Sequence, residues 1–122
     1  MAMTRIRVGL LDSTTFMVGT LPVPKWADQE KTTRATDRES GLPLFTVTLF
    51  LMEDERAESM KITVPADGLP NGLHAGRFVR PVDLFATPWA RIFNGSLSDG
   101  VAYRCAALEI VAAPVTSEEM AA

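Results

Sequence analysis

The chain has 122 residues, 47% apolar and 22% charged, with a net charge of −3. That composition excludes a disordered polymer and describes one ordinary globular domain, which can bury roughly two-thirds of its unfolded surface. A single cysteine, Cys105, rules out an internal disulfide and a cysteine framework for a metal, as expected of a reducing cytoplasm. No apolar run reaches the ~18 residues that span a membrane. The first residues also lack the apolar stretch and small-residue site of a signal peptide.

The negative charge argues against a broadly basic nucleic-acid binder, but it is concentrated. Glu53, Asp54, Glu55 and Glu58 crowd around Arg56, and Glu118 and Glu119 lie in the tail. The remainder carries eleven basic and nine acidic residues, so locally positive surface is allowed.

Taken in chain order, "RIRVGLL" (5–11) alternates at period two and predicts a half-buried strand. "FMVGTLPV" (16–23) is extended and ends between Pro22 and Pro24. Residues 25–40 follow as a long polar arm with no apolar period. "LPLFTVTLFLM" (42–52) is rich in β-branched and aromatic residues. One register puts Phe45, Val47, Leu49 and Leu51 on one face, and Leu44, Thr46, Thr48 and Phe50 on the other. "EDERAES" (53–59) reads as a solvated turn. "MKITV" (60–64) turns Met60, Ile62 and Val64 inward and Lys61 and Thr63 outward, completing a hairpin.

The Pro- and Gly-dense stretch 65–76 is a loop. "RFVRPVDLF" (77–85) is a strand whose Pro81 marks an edge or a bulge. "TPWARIF" (87–93) continues it past a bend, and "NGSLSDG" (94–100) carries Asn-Gly and Asp-Gly turn signals. In 101–113 the alternation of Ala106, Leu108 and Ile110 favours strand over helix. The expectation is an all-β domain over residues 1–113, a small five-stranded antiparallel Greek-key barrel of the oligonucleotide-binding kind with a long polar loop before its second strand. Residues 114–122 would be a loose tail.

Nothing in the sequence points to catalysis. His74 lies in a Gly-Pro loop and Cys105 in a strand, neither in a nucleophile setting. The acidic run lacks calcium-loop spacing, and no Gly-rich phosphate loop precedes a helix. A non-catalytic protein without cofactor or metal is expected. Aromatic and basic residues do interleave. Trp89, Arg91 and Phe93 share one side of an extended segment, as a stacking platform or as a core cap with a snorkelling arginine. The arm carries Lys25, Lys31, Arg34 and Arg38 among carboxylates and threonines, beside Trp26. Oligonucleotide-binding barrels use the loop between their first two strands and the faces of strands two and three. Here those are the arm with Thr46, Thr48, Lys61 and Thr63.

The order "TDRESGLPLFTVTLF", "MKITVPADGLP", "GRFVRPVDLFATPW", "YRCAALEIV" resembles a group of actinobacterial plasmid replication, integration and excision activators of conjugative elements. The matching residues are Asp37, Gly41 and Pro43; Lys61 to Val64; Arg80 to Val82; and Tyr103 with Arg104, within roughly residues 26–111. More loosely, the layout is similar to the single-stranded DNA-binding proteins of filamentous phages, which have the oligonucleotide-binding fold and act as dimers. This chain is less basic than those. The resemblance implies single-stranded DNA binding without sequence readout in replication, excision or transfer of a mobile element, and a cytoplasmic homodimer. Lys31, Arg34, Arg38 and Lys61 would meet phosphates, Trp26, Trp89 and Phe93 would stack on bases, and Arg91 would bridge. Two alternatives stay open. One is a regulatory module that binds a replication initiator or recombinase through an edge near Pro81 and the acidic turn 53–58. The other is a structural protein that assembles by strand pairing.

Overall fold

The computed structural model describes residues 4–114. The described residues are all-β: β1 (Ile6–Arg7), β2 (Thr15–Val18), β3 (Val23–Pro24), β4 (Leu44–Glu53), β5 (Arg56–Pro65), β6 (Phe78–Val82), β7 (Phe85–Phe93), β8 (Ser96–Arg104) and β9 (Ala107–Ile110), with one 3-10 turn at Ala66–Gly68. The nine strands form one mixed sheet. Its hydrogen-bonded path runs β1-β7-β8-β5-β4-β2-β6-β9, with β3 paired to β4, and does not close on itself. Where the sequence suggested about five strands, the structure has nine, because residues 8–14 separate β1 from β2, bends at Asp83–Leu84 and Cys105–Ala106 divide two long extended segments, and Val23–Pro24 adds a short strand. Among the described residues no helix is long and apolar enough to cross a membrane.

The core follows the alternation read from the sequence. Val47 and Leu49 of β4 and Ile62 and Val64 of β5 are fully buried, and they meet Phe16, Val18, Val79, Leu84, Cys105 and Leu108. Burying such side chains contributes roughly 1.5–3 kcal/mol each, so this cluster dominates stability. The last element is strand, as favoured.

Several expectations need correction. The first segment is strand only at Ile6–Arg7, and both residues are exposed; Val8 and Leu10 make its core contact. Residues 53–59 are not a turn. β4 and β5 pair out to Glu53↔Arg56, leaving a two-residue loop at Asp54–Glu55, with Asp54 at φ 47°. The charges sit on a ladder that stands in water, where strand pairing needs no apolar side chains. Likewise only Asn94-Gly95 turns in 94–100. Both residues have positive φ, 51° and 78°, which suits a two-residue hairpin loop, and Ser96–Gly100 belongs to β8. Pro81 is buried, and β6 lies between β2 and β9, so β6 is not an exposed edge. Pro81 is tolerated because it pairs only with β9, beyond the end of the β2 ladder. The tail lies, except for Pro114, outside the described residues.

The polar arm is a folded element. Lys25 N donates to Leu44 O (3.0 Å), Leu44 N to Ala35 O (2.9 Å), Ala35 N to Lys25 O (2.9 Å) and Ala27 N to Thr33 O (2.8 Å). Bridges pair Trp26 with Arg34 and Thr36 with Pro43. At the tip, Asp28 Oδ1 accepts from the backbone N–H of Thr32 (2.9 Å) and Thr33 (3.1 Å), and Oδ2 from the Thr32 hydroxyl. These bonds hold the Asp28 carboxyl below its ordinary pKa, the Thr32 hydroxyl contributing most. Main-chain pairing and an aspartate-closed tip order the arm without an apolar face.

Candidate functional site

Paired residues in a sheet share a face, so register locates the outward side chains. Thr46 pairs with Thr63 and Thr48 with Lys61 across β4 and β5. Thr63 pairs with Arg104 across the parallel β5–β8 contact. Arg104 pairs with Phe85 across β8 and β7, and Phe85 with Arg7 of β1. Alternation along β7 then assigns Thr87, Trp89, Arg91 and Phe93 to this same side. One outward face thus holds Thr46, Thr48, Lys61, Trp89, Arg91 and Phe93. From Arg104 to Ser96, opposite Phe93, the face extends about 26 Å at ~3.3 Å per residue.

The far part of this face is a two-stranded ribbon. Opposite Trp89, Arg91 and Phe93 stand Gly100, Ser98 and Ser96, all small. The Trp89 indole is half-buried over Gly100, and Arg91 places its guanidinium 5.1 Å from the indole centroid. Phe93 is 72% exposed, so it does not cap the core. The result is a wet row of ring, guanidinium and ring. Its chemical capacity is to stack on planar groups while offering one cation.

Nearer the body, Lys25 swings from the arm over β5, and its Nζ donates to Thr63 Oγ1 at 3.0 Å. Arg104 is held by Asp37. Its Nη2 bonds Asp37 Oδ1, while Asp37 Oδ2 accepts from the Ser40 hydroxyl (2.8 Å) and Ser40 N (3.2 Å). The Arg104 hydrogen bond first, then that of the Ser40 hydroxyl, bring the Asp37 carboxyl down to about 2. Beyond this pair lies an open cleft of about 420 Å³ lined by Asp37, Glu39, Asp67 and Asp83 against Arg5 and Arg104, with Phe85 in its wall. The outward face therefore has lysines and threonines on one side of the Asp37–Arg104 pair and, on the other, a cleft in which four carboxylates outnumber Arg5 and Arg104.

The remaining sequence-predicted residues lie elsewhere. Trp26 and Arg34 pair with each other, and alternation puts them with Phe45, on the opposite side of the arm from Lys25 and Thr46. The Arg34 guanidinium lies between two rings, 5.6 Å from the Trp26 centroid and 5.0 Å from that of Phe45, and donates to Leu44 O at 3.4 Å. Lys31, at φ 61°, sits in the tip turn, whereas Arg38 sits in the turn at the other end of the arm; both are exposed. The structure brings six of the ten candidates onto one face and sets Trp26, Lys31, Arg34 and Arg38 apart from it. Sequence reading missed Arg104 and Phe85 as members of the face, because nothing local signals a parallel pairing between segments forty residues apart. Cys105 is buried, and burial pushes its thiol up to about 12. Among the described residues no group of three His, Cys, Asp or Glu is arranged to hold a metal ion.

Comparison with protein-family models, with curated proteins and with solved structures found no match to this chain.

Proposed function

We propose that the protein binds single-stranded DNA non-catalytically, by phosphate contacts and base stacking, in the replication, excision or transfer of a mobile element. The observation that carries this is the register-defined face that joins Lys61, Thr46 and Thr48 to the Trp89–Arg91–Phe93 row. Cations and hydroxyls suit phosphates, and exposed rings suit unpaired bases of any sequence. The mobile-element role rests on the resemblance to the plasmid activators, and a cytoplasmic site of action goes with it.

The connectivity supports an oligonucleotide-binding barrel. β1 with β2, β4, β5, β6 with β7, and β8 with β9 can be taken as five bent segments. Segment one then pairs with two and four, two with three, three in parallel with five, and five with four. That Greek-key order of segments, within a sheet whose strand path stays open, leaves the arm as the loop between segments one and two, and the Asn94-Gly95 turn as the loop between four and five. These loops, with the faces of segments two and three, are the surfaces such barrels use for oligonucleotides.

A homodimer belongs to the same proposal. On the ribbon side opposite Trp89, Ile92, Leu97 and Val101 are 74%, 68% and 48% exposed. They continue the inward-facing positions of the sheet past the end of the core. Sedimentation of wild type against Leu97→Glu tests this, with a monomeric wild type as the contrary result.

The deciding experiment for DNA is an anisotropy titration of a labelled single-stranded oligonucleotide at two salt concentrations, with a duplex control and tryptophan emission read alongside. Binding to the single strand, weakened by salt and accompanied by quenching, is the expected outcome. Absence of binding at low salt defeats the proposal and favours a module that acts on a replication or recombination protein. For that alternative the exposed Asp54–Glu55 loop is an available contact, whereas buried Pro81 is not.

A further inference from the structure

Among the described residues no carboxylate answers the charge of Lys25. Among the described residues three ion pairs form, Arg7–Asp83, Arg56–Glu58 and Arg104–Asp37, and none includes Lys25. Its Nζ meets the Thr63 hydroxyl instead. Because Thr63 Oγ1 accepts from Lys25, its own proton is free to be donated outward. Thr46 stands opposite Thr63, and Lys61 stands two residues along β5, opposite Thr48. Arg104 is the remaining cation at hand, but it is engaged by Asp37 at the rim of the acidic cleft.

We infer that Lys25, Thr63 and Lys61 form a subsite for one phosphate group, with the Arg104–Asp37 pair as its boundary. On the single-strand function proposed above, on which this identification of the occupant rests, the group is a backbone phosphodiester. Two ammonium groups supply charge, and the oriented Thr63 hydroxyl supplies a directed donor. Partial burial, and then the neighbouring Arg104 charge, both lower the Lys25 pKa. An incoming anion relieves the second of these. Carboxylates on the far side of Arg104 repel phosphate and set the end of the track.

The test uses the full chain, a dT 12-mer without terminal phosphates, and inorganic pyrophosphate as a second probe. Lys25→Ala and Lys25→Arg are compared with wild type. Both should fold, because the Lys25 side chain lies at the surface with its ammonium only partly buried, and the bonds to Leu44 and Ala35 are made by its backbone. Loss of one phosphate contact lowers the slope of log K against log salt by about 0.7 and weakens binding about fivefold at 0.1 M salt. That loss in Lys25→Ala, its recovery in Lys25→Arg, and a pyrophosphate-induced NMR shift of the Thr63 amide in wild type but not Lys25→Ala support the subsite. Equal slopes in wild type and Lys25→Ala with no shift at Thr63 overturn it and leave single-strand binding intact. If wild type ignores the oligonucleotide while pyrophosphate still moves Thr63, the single-strand function fails and the subsite belongs to a free phosphate or nucleotide. Silence from both probes overturns both.

Discussion

Trp89 covers Gly100 so closely that a β-carbon on the glycine would stand 2.8 Å from Cζ2 of the indole. The absent side chain is thus part of how the ring is seated. Gly100→Ala must shift the indole, which is free to move because the ribbon around it is exposed. In a Trp26→Phe background, where one indole reports, the emission maximum should change with little loss of thermal stability. Base stacking on an aromatic is worth about 1–3 kcal/mol. Trp89→Ala should therefore weaken single-strand binding by about 5- to 150-fold, and Gly100→Ala by part of that. Wild-type affinity in both variants takes Trp89 out of the site.

Arg34 and Arg38 looked equivalent in sequence, and the structure gives them different work. Arg34 ties Trp26 to Phe45, and each guanidinium–ring contact contributes about 0.5–1 kcal/mol at an exposed site and about 2 when desolvated. Arg34→Ala should lower the unfolding temperature and expose the arm to protease. Arg38→Ala, at an exposed turn position, should leave stability unchanged and lower the salt slope by about 0.7. Thermal melts and salt-dependent anisotropy on the single variants separate these effects. A stable Arg34→Ala with a reduced slope would return Arg34 to the phosphates.

What the sequence disclosed was local. Alternation in 60–64 and 45–51 placed Val47, Leu49, Ile62 and Val64 in the core, and Asn94-Gly95 marked its turn. What it concealed was set by pairing. Glu53 to Glu58 look like a loop because their charges hide a ladder held by backbone bonds. The arm shows no apolar period because its order comes from main-chain bonds to Leu44 and from Asp28 at the tip. The candidate face was legible in parts, Lys61 with its threonines in one segment and Trp89 with Arg91 and Phe93 in another. Only the contact of Thr63 with Arg104 joins them, and that register is written in no short stretch.

Cys105 lies 1% exposed between the two strands of the last segment, its thiol pushed up to about 12 by burial. The thiolate is the reactive form, so the native protein at pH 8 should react with a disulfide reagent only as fast as it opens. One thiol per chain should titrate at once in denaturant. Rapid labelling of folded protein would contradict a closed core at this end of the sheet. Cys105→Ser, which puts a hydroxyl among apolar neighbours, should destabilise by roughly 1–3 kcal/mol.

The Asp37–Arg104 pair predicts a specific acid response. The folded carboxyl titrates at about 2, below its ordinary value near 3.8, because it accepts from Arg104 and Ser40. A depressed folded pKa gives stability that is complete above the unfolded value and is lost as pH falls through the folded one. The contribution of Asp37 should therefore be whole at pH 7 and fade between about pH 4 and pH 2. Asp37→Asn removes it and leaves Arg104 beside Lys25 without its counter-ion. Urea midpoints by circular dichroism should show the variant well below wild type at pH 7, with the gap narrowing from pH 4 downward. Other carboxylates titrate equally in both proteins and cancel from the difference. A gap that stays constant to pH 2 would mean that the side chain stabilises through packing alone, and the pair would lose its place as the charged boundary of the outward face.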